Sequence, residues 1–243
     1  MPSDYERRFS RILAPYMQAV SLVECDDIFE ARKNAKSLHL NRDCVNVDRI
    51  FEFNAVRRVH CELRKDWLKP LSKLPNLEHV QFTLPKTADI PSLKVLDGIH
   101  TLVLICNRHQ TNLKFLRGLK SLRALCVSEA NGVTELNPIA SLTNLQEIYI
   151  DGSVGGSGKV QSFAPLAKLQ DLRFSVLLVR SMEKSSPLRH LHKLKMLEYL
   201  YLAAQFAKDE EQLDSVLEAL PLLRKVEFNG GLTWPTTKRR TMR

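Results

Sequence analysis

The sequence predicts an α/β solenoid in which about nine short repeats stack side by side, with a parallel β-sheet along one face and short helices along the other. The first observation is a run of apolar residues in steps of three that ends in a step of two, formed by Leu136, Ile139, Leu142, Leu145, Ile148 and Ile150. The second is that this cadence recurs every 21 to 28 residues along the chain. Internal repetition at such a period is the sequence signature of stacked repeats.

Each repeat is predicted to contain one short strand and one tight helical turn. The last three apolar positions are spaced L-x-x-L-x-L, and their final alternation is typical of a strand whose apolar residues point inward. The preceding steps of three suit a 3₁₀ or short α turn, which places one residue per turn on the inner face. The nine triples are Ala35/Leu38/Leu40, Val56/Val59/Cys61, Leu77/Val80/Phe82, Ile99/Leu102/Leu104, Leu122/Leu125/Val127, Leu145/Ile148/Ile150, Leu169/Leu172/Phe174, Leu197/Leu200/Leu202 and Leu223/Val226/Phe228.

The full pattern, L-x-x-L-x-x-L-x-x-L-x-L, resembles that of the leucine-rich repeat family, in particular the internalin-like subclass with repeats of about 22 residues. The resemblance covers residues 35–230. It implies a horseshoe or arc with the parallel sheet on the concave face and 3₁₀ or short α-helices on the convex face. The family usually carries an Asn in the turn after the strand, where its side chain satisfies backbone groups. Asn107 alone stands at that position here, which implies less regular turns.

The two ends of the chain do not show the repeat. Residues 1–34 are predicted to form an N-terminal cap, because a repeat stack must cover its first core face. Residues 19–23 are predicted to form a short strand within this cap. A short amphipathic helix before that strand is suggested by Phe9, Leu13 and Tyr16. Residues 231–243 are predicted to be a basic C-terminal tail, in which Trp234 and Pro235 fold back as a partial cap.

Two late repeats carry signals for longer helices. Ser186 followed by Pro187 is predicted to be an N-cap and a first helical residue. A second helix is predicted after the acidic residues 209–211, which favour a helix N-terminus. Its apolar residues at i, i+3, i+4 and i+7 are Leu213, Val216, Leu217 and Leu220. The convex face is therefore predicted to change from 3₁₀ turns to α-helices toward the C-terminus.

Composition predicts a cytoplasmic protein without a membrane segment. No apolar run approaches the roughly 20 residues that span a bilayer. The charged N-terminus lacks the apolar stretch of a signal peptide, and no Asn-x-Ser/Thr sequon occurs. Five cysteines form no C-x-x-C pair, and this odd number favours free, buried thiols in a reducing compartment.

No motif supports catalysis, and we predict a protein that is not an enzyme and has no cofactor or metal. The one glycine-rich stretch, residues 152–159, follows a predicted strand as a phosphate-binding loop would. Val160 stands where such a loop requires Ser or Thr after Lys159, so a flexible loop between repeats is the better interpretation. His190 and His192 would point in different directions from a helical turn, which argues against a metal site.

Function is predicted to lie on the concave face, where three columns of residues flank and split each L-x-L. Strands about 4.8 Å apart would spread nine repeats over roughly 40 Å, a protein-sized surface rather than a metabolite pocket. A small apolar patch in the middle consists of Val103, Ile105, Ala124 and Cys126. The predicted partner-binding residues are Glu147, Tyr149, Asp151, Asp171, Arg173, Tyr199, Tyr201, Lys225 and Glu227.

Tyrosine and arginine among charged neighbours are typical of an interface hot spot. The alternative is that these aromatic residues only pack against their neighbours across the strands. His60 and His79 fall on adjacent strands of the same face, and we expect them to be solvated.

Three classes of function remain open at this point. The first is a non-enzymatic scaffold that binds an unidentified partner protein on the concave face, which is what the resemblance implies. A narrower form of it is an antidote or immunity-type inhibitor of a toxin or enzyme. The second class is nucleic-acid binding, motivated by the net charge of +9 and the basic C-terminal residues Lys238, Arg239, Arg240 and Arg243. The third class, an enzyme, depends only on the imperfect glycine-rich loop.

Overall fold

A computed structural model describes residues 12–13, 22–87, 89–152 and 158–235 of the chain. Its strands are β1 Val23–Asp27, β2 Ser37–Val45, β3 Arg58–Glu62, β4 His79–Thr83, β5 Thr101–Ile105, β6 Ala124–Ser128, β7 Glu147–Asp151, β8 Lys159–Val160, β9 Phe174–Leu178, β10 Arg180–Ser181, β11 Tyr199–Leu202, β12 Val226–Phe228 and β13 Thr233–Trp234. In this described part, an 11-stranded sheet has the order β1-β2-β3-β4-β5-β6-β7-β9-β11-β12-β13. Its strands are parallel to their neighbours, except that β13 is antiparallel to β12.

Short helical turns connect the strands on the opposite, convex side. The 3₁₀ turns span Ile28–Glu30, Val47–Glu52, Lys94–Leu96, Lys114–Leu116, Asn137–Ser141, Ala164–Lys168, Pro187–Lys193 and Ala204–Lys208. Two α-helices are α1, Lys65–Leu71, and α2, Glu210–Ala219. Strands β8 and β10 form a separate two-stranded parallel sheet. Strands of consecutive repeats that pair in parallel in the large sheet, each followed by a helical turn, confirm the predicted leucine-rich repeat solenoid.

A single core runs through the stack between the sheet and the turns. It extends from Cys25 to Trp234 and contains almost every residue of the L-x-x-L-x-L triples. Leu145, Ile148 and Ile150 are completely buried in it. A single repeat has no second layer to cover its apolar face, so each repeat depends on its neighbours for burial. The five cysteines are free and buried, as predicted.

The seventh repeat has a different register from the predicted one. Glu147 pairs with Phe174, and Ile148 pairs with Ser175. The inward triple is therefore Leu172/Ser175/Leu177, and the prediction of Leu169/Leu172/Phe174 is wrong. A displacement by an odd number of residues exchanges the two faces of a strand. Phe174, for this reason, points to the concave side and not into the core between sheet and turns.

The predicted helices are partly present. Helix α2 is confirmed: the Asp209 carboxylate accepts a hydrogen bond from the backbone N–H of Gln212, 3.1 Å away, and caps the N-terminus. Pro187 does begin a helical segment, but this is a 3₁₀ turn, and the Ser186 side chain makes no capping bond. The unpredicted α1 lies near the N-terminus and buries Trp67 and two leucines. The change from 3₁₀ to α structure thus does not follow the predicted direction along the chain.

Both ends of the sheet extend into segments that show no repeat. Strand β1 overlaps the strand predicted over residues 19–23 only at Val23, and it pairs in parallel with β2. At the other end, Trp234 folds back as predicted, because β13 pairs with β12 and the indole N–H donates to Asp214, 3.0 Å away. Of the predicted N-terminal helix, Leu13 is described, whereas Phe9 and Tyr16 lie outside the described residues. The basic residues 238–243 lie outside them as well.

Candidate functional site

The concave face is much less open than the sequence suggested. The residues that begin strands β4, β5, β6, β7, β9 and β11 share the first column of this face. All of them are buried: His79, Thr101, Ala124, Glu147, Phe174 and Tyr199. The residues in the third and fifth positions of β7 and β9 are partly exposed at Tyr149, Asp151 and Leu178. The strands therefore do not present a continuous solvent-exposed surface of roughly 40 Å.

The register of the seventh repeat places apolar side chains on this face. Phe174, Val176 and Tyr199 form a buried cluster, with Leu178 and Tyr201 packed against it. The rings of Phe174 and Tyr199 are stacked, with centroids 4.6 Å apart and planes 12° from parallel. We call these five residues the aromatic patch. Stacked rings with large apolar area are the groups that dominate interface energetics.

A second apolar cluster lies on strands β5 and β6. Val103, Ala124 and Cys126, which the sequence places in a small apolar patch, pack together with Leu13. Tyr149 is partly buried against this cluster and also against the aromatic patch. The two clusters are therefore continuous across strands β5 to β11.

Glu147 provides the polar contact at the centre of the face. Its Oε1 accepts a hydrogen bond from the backbone N–H of Ile12 at 2.9 Å, and its Oε2 accepts one from Leu13 at 2.8 Å. The carboxylate is only 3% exposed, and charge-assisted bonds of this kind offset part of the cost of burying it. We call Val103, Ala124, Cys126 and Glu147 the Leu13 seat. The contact places part of the predicted N-terminal cap on the concave face, whereas a cap over the first repeat was expected.

The structure places most of the predicted site residues on or next to the concave face. Glu147, Tyr149 and Asp151 are alternate residues of β7, Tyr199 and Tyr201 alternate in β11, and Glu227 is in β12 next to Lys225. The Tyr199 hydroxyl donates to Glu227 Oε2 at 3.2 Å. Lys225 Nζ lies 2.5 Å from Glu227 Oε1. The predicted charges in this region thus neutralise one another and fix the Tyr199 ring.

Asp171 and Arg173 are not on the concave face. Both precede β9, and Arg173 forms an ion pair at 3.1 Å with Glu198, which precedes β11. Their prediction as face residues is wrong because they belong to the turn before the strand in the true register. Phe174, Val176 and Leu178 take their place, although the predicted register does not assign them to this face. The signal was the apolar run 176–179, which the predicted register left without a strand.

The expectation that His60 and His79 are solvated is wrong for His79, which is completely buried, whereas His60 is partly exposed. Their rings lie 5.4 Å apart on β3 and β4. Burial, followed by the charges of His60 and Arg58, lowers the pKa of His79 to about 3. Burial likewise lowers the pKa of His60 to about 4, together with the charges of His39 and Arg58. Both imidazoles are therefore neutral at physiological pH.

The turn residue Asn107 makes the contacts that the family resemblance implies. Its side-chain amide donates to the carbonyl oxygens of Leu84 at 3.2 Å and Pro85 at 3.1 Å, and its oxygen accepts from the N–H of His109 at 3.0 Å. Gln110 is buried beside it and donates to Pro85 as well. One turn of the stack is thus held by two amide side chains.

The glycine-rich stretch is described only at its base, since residues 153–157 lie outside the described part. A side chain at Gly152 would come within 2.8 Å of the Cα of Gly158, so the two backbones meet without room for a Cβ. Among the described residues, no group of three or more His, Cys, Asp or Glu side chains could hold a metal ion. Across the same residues, none of the helices has the length and apolarity needed to cross a membrane.

The repeats and the sheet define the class of protein, a leucine-rich repeat solenoid. No protein-family model matches the chain, and neither does any curated protein. Among solved structures it is similar to internalin C2 of Listeria monocytogenes, at 22% identity over 73% of each chain with a TM-score of 0.49. It is also similar to the plant peptide hormone receptor RGFR1 in complex with RGF2, at 12% identity over 69% of this chain and 35% of that chain, with a TM-score of 0.32. A leucine-rich repeat protein of Leptospira interrogans is similar at 14% identity over 79% of this chain and 76% of that chain, with a TM-score of 0.22.

Proposed function

We propose that this protein is a non-enzymatic scaffold that binds a partner protein on its concave face. The observation that carries the proposal is a row of partly exposed side chains, Tyr149, Leu178 and Tyr201, packed over the buried cluster of Phe174, Val176 and Tyr199. Such a surface, with Asp151 beside it, has the composition of an interface core and its polar rim. The free, buried cysteines fit a cytoplasmic location for this activity.

The charge of the concave face favours a protein over a nucleic acid. Strands β4, β5, β6, β7 and β9 place no Lys or Arg side chain on this face within the described part of the chain. A nucleic-acid site needs basic side chains along the backbone path, because phosphate contacts provide most of the affinity. The net charge of +9 therefore does not come from these five strands.

Affinity capture from lysate with three immobilised chains tests the proposal. The wild type is compared with a Tyr149→Ala, Tyr201→Ala double variant and with Phe51→Ala, which removes an exposed aromatic ring from the convex side. We expect a protein that the wild type and Phe51→Ala retain and that the double variant loses, with circular dichroism showing that all three are folded. Equal retention of the captured protein by all three chains would place its binding site away from Tyr149 and Tyr201. Capture of nucleic acid alone, with a steep dependence on salt, would support the basic-surface alternative.

An inhibitor is one form of such a scaffold. If the captured protein has a measurable activity, adding the purified chain should reduce it, and the double variant should not. An unchanged activity would leave a scaffold without an inhibitory role.

A further inference from the structure

The concave face is already in contact with a short segment of its own chain. Ile12 and Leu13 lie 134 or more residues from Glu147 in sequence, yet both backbone N–H groups bond to its carboxylate. The Leu13 side chain is 1% exposed in the cluster with Val103, Ala124 and Cys126. A contact that closes over so many residues, away from the repeats' core, does not serve the stacking of one repeat on the next.

Two features of the seat are chemically selective. The carboxylate accepts two consecutive backbone N–H groups, which a bent segment such as residues 12–13 turns toward one acceptor whatever its side chains. The apolar pocket beside it accepts one aliphatic side chain. Together they select a bent segment with an aliphatic residue at the second of two free N–H positions.

The surroundings of the seat leave room for a longer ligand. A pocket of about 290 Å³ opens beside it, and its lining combines Ile12, Phe174 and Tyr199 with Gln146, Glu147 and the Arg173–Glu198 ion pair. On the other side, Tyr149 connects the seat to the aromatic patch. A partner segment that entered the seat would therefore continue onto the surface that the proposed function requires.

We propose that the Leu13 seat is the anchor site for a bent aliphatic segment of the partner protein, and that Ile12–Leu13 occupies it as an intramolecular competitor. The inference rests on the proposed function of the concave face and states which chemistry the partner brings to it. A covalently attached competitor acts at an effective concentration in the millimolar range, set by its tether. The partner therefore binds more weakly than to a free seat, by the fraction of chains in which the seat is open.

The first test uses Cys126 as a reporter in the full-length protein. Cys126 is 1% exposed within the seat, and the other four cysteines are buried in other parts of the fold. A Leu13→Asp variant should leave the seat, so we expect Cys126 to react with a maleimide at least tenfold faster than in the wild type, as located by peptide mass mapping. Glu147→Gln keeps the apolar pocket and weakens the two N–H bonds, and it should give an intermediate rate. Leu13→Met should react like the wild type. Equal rates in all chains would overturn the proposal.

The second test adds the N-terminal segment as a separate peptide. A fluorescent ten-residue peptide with the sequence of residues 9–18, FSRILAPYMQ, is titrated by anisotropy into the full-length Leu13→Asp variant and into the wild type. We expect saturable binding to the variant and at least tenfold weaker binding to the wild type, since the latter carries its own competitor. The same peptide with Asp at its leucine should bind neither. Absence of binding to the variant, or equal binding to both chains, would overturn the proposal.

Partner capture separates this inference from the function on which it rests. Leu13→Asp should retain at least severalfold more partner than the wild type. If it retains the same amount while Tyr149→Ala, Tyr201→Ala loses the partner, the concave face binds and the seat does not compete. If no variant changes retention, both proposals fail.

Discussion

The buried histidine at the start of β4 makes the stability of the protein depend on pH. His79 is fully buried in the concave face, next to the ring of His60. In the unfolded chain an imidazole has a pKa of about 6.5, whereas burial lowers the pKa of His79 to about 3 in the folded protein. A depressed pKa means that the unfolded state binds the proton first. The stability linked to His79 is therefore present above pH 6.5 and is lost as the pH falls toward 3.

The size of the effect follows from linkage. Between pH 7 and pH 5, protonation of an imidazole in the unfolded chain alone lowers the free energy of unfolding by about 2 kcal/mol. His60 adds to the same trend, because burial lowers its pKa to about 4. We expect a His79→Gln variant to lose about 2 kcal/mol less than the wild type over this interval. The prediction concerns the difference between wild type and variant in how the free energy of unfolding changes with pH. It does not concern the absolute stability of the variant.

Urea unfolding followed by circular dichroism at pH 7, 6 and 5 measures this difference. Repeating the series in 0.5 M NaCl screens the surface charges but not the buried imidazole, so the difference should persist in salt. Parallel pH dependences for wild type and variant would refute the assignment of a buried, neutral His79. The same result would show that the first column of the concave face is open to water.

Further predictions concern stability and are checked by urea or thermal unfolding. Ser175 places its hydroxyl in the core without a hydrogen-bond partner among the described residues, so Ser175→Ala should be neutral or stabilising by up to about 1 kcal/mol. Ser141→Ala is the control, since that hydroxyl donates to a carbonyl, and it should destabilise. Asp209→Ala removes a helix N-cap and should cost about 1 kcal/mol. Asn107→Ala removes three hydrogen bonds and should cost about 1–3 kcal/mol, more than Asn112→Ala, which removes the one bond found at its side chain. The reverse order in either pair would contradict these contacts.

The recurring apolar pattern of the sequence predicts the sheet because every repeat packs its strand against its turn in the same way. Leu38, Val80 and Ile148 stand in equivalent inward positions of β2, β4 and β7, since each strand can bury only one face against the turns. The seventh repeat departs from this pattern for a specific reason. Its true cadence ends in Leu172, Ser175 and Leu177, and the serine hides the inward position that an aliphatic residue fills elsewhere.

The candidate site is predictable only where it follows the same repeat. Tyr149 and Tyr201 lie on the concave face because their positions alternate with inward leucines and isoleucines. The two backbone bonds from Ile12 and Leu13 to Glu147 have no counterpart in a local pattern. Such a contact joins distant parts of the chain, and neither hydrophobic periodicity nor capping signals report it.

Photo-crosslinking from two positions tests the central claim that the concave face binds a protein. Benzoylphenylalanine replaces Tyr201 in one chain and Phe51 in another, so that the same probe stands on the concave and on the convex side. Each chain is irradiated in lysate and the covalent products are separated by mass. We predict a specific crosslinked protein from position 201 and none from position 51. A product from position 51 with none from position 201 would contradict the assignment of the concave face as the binding surface.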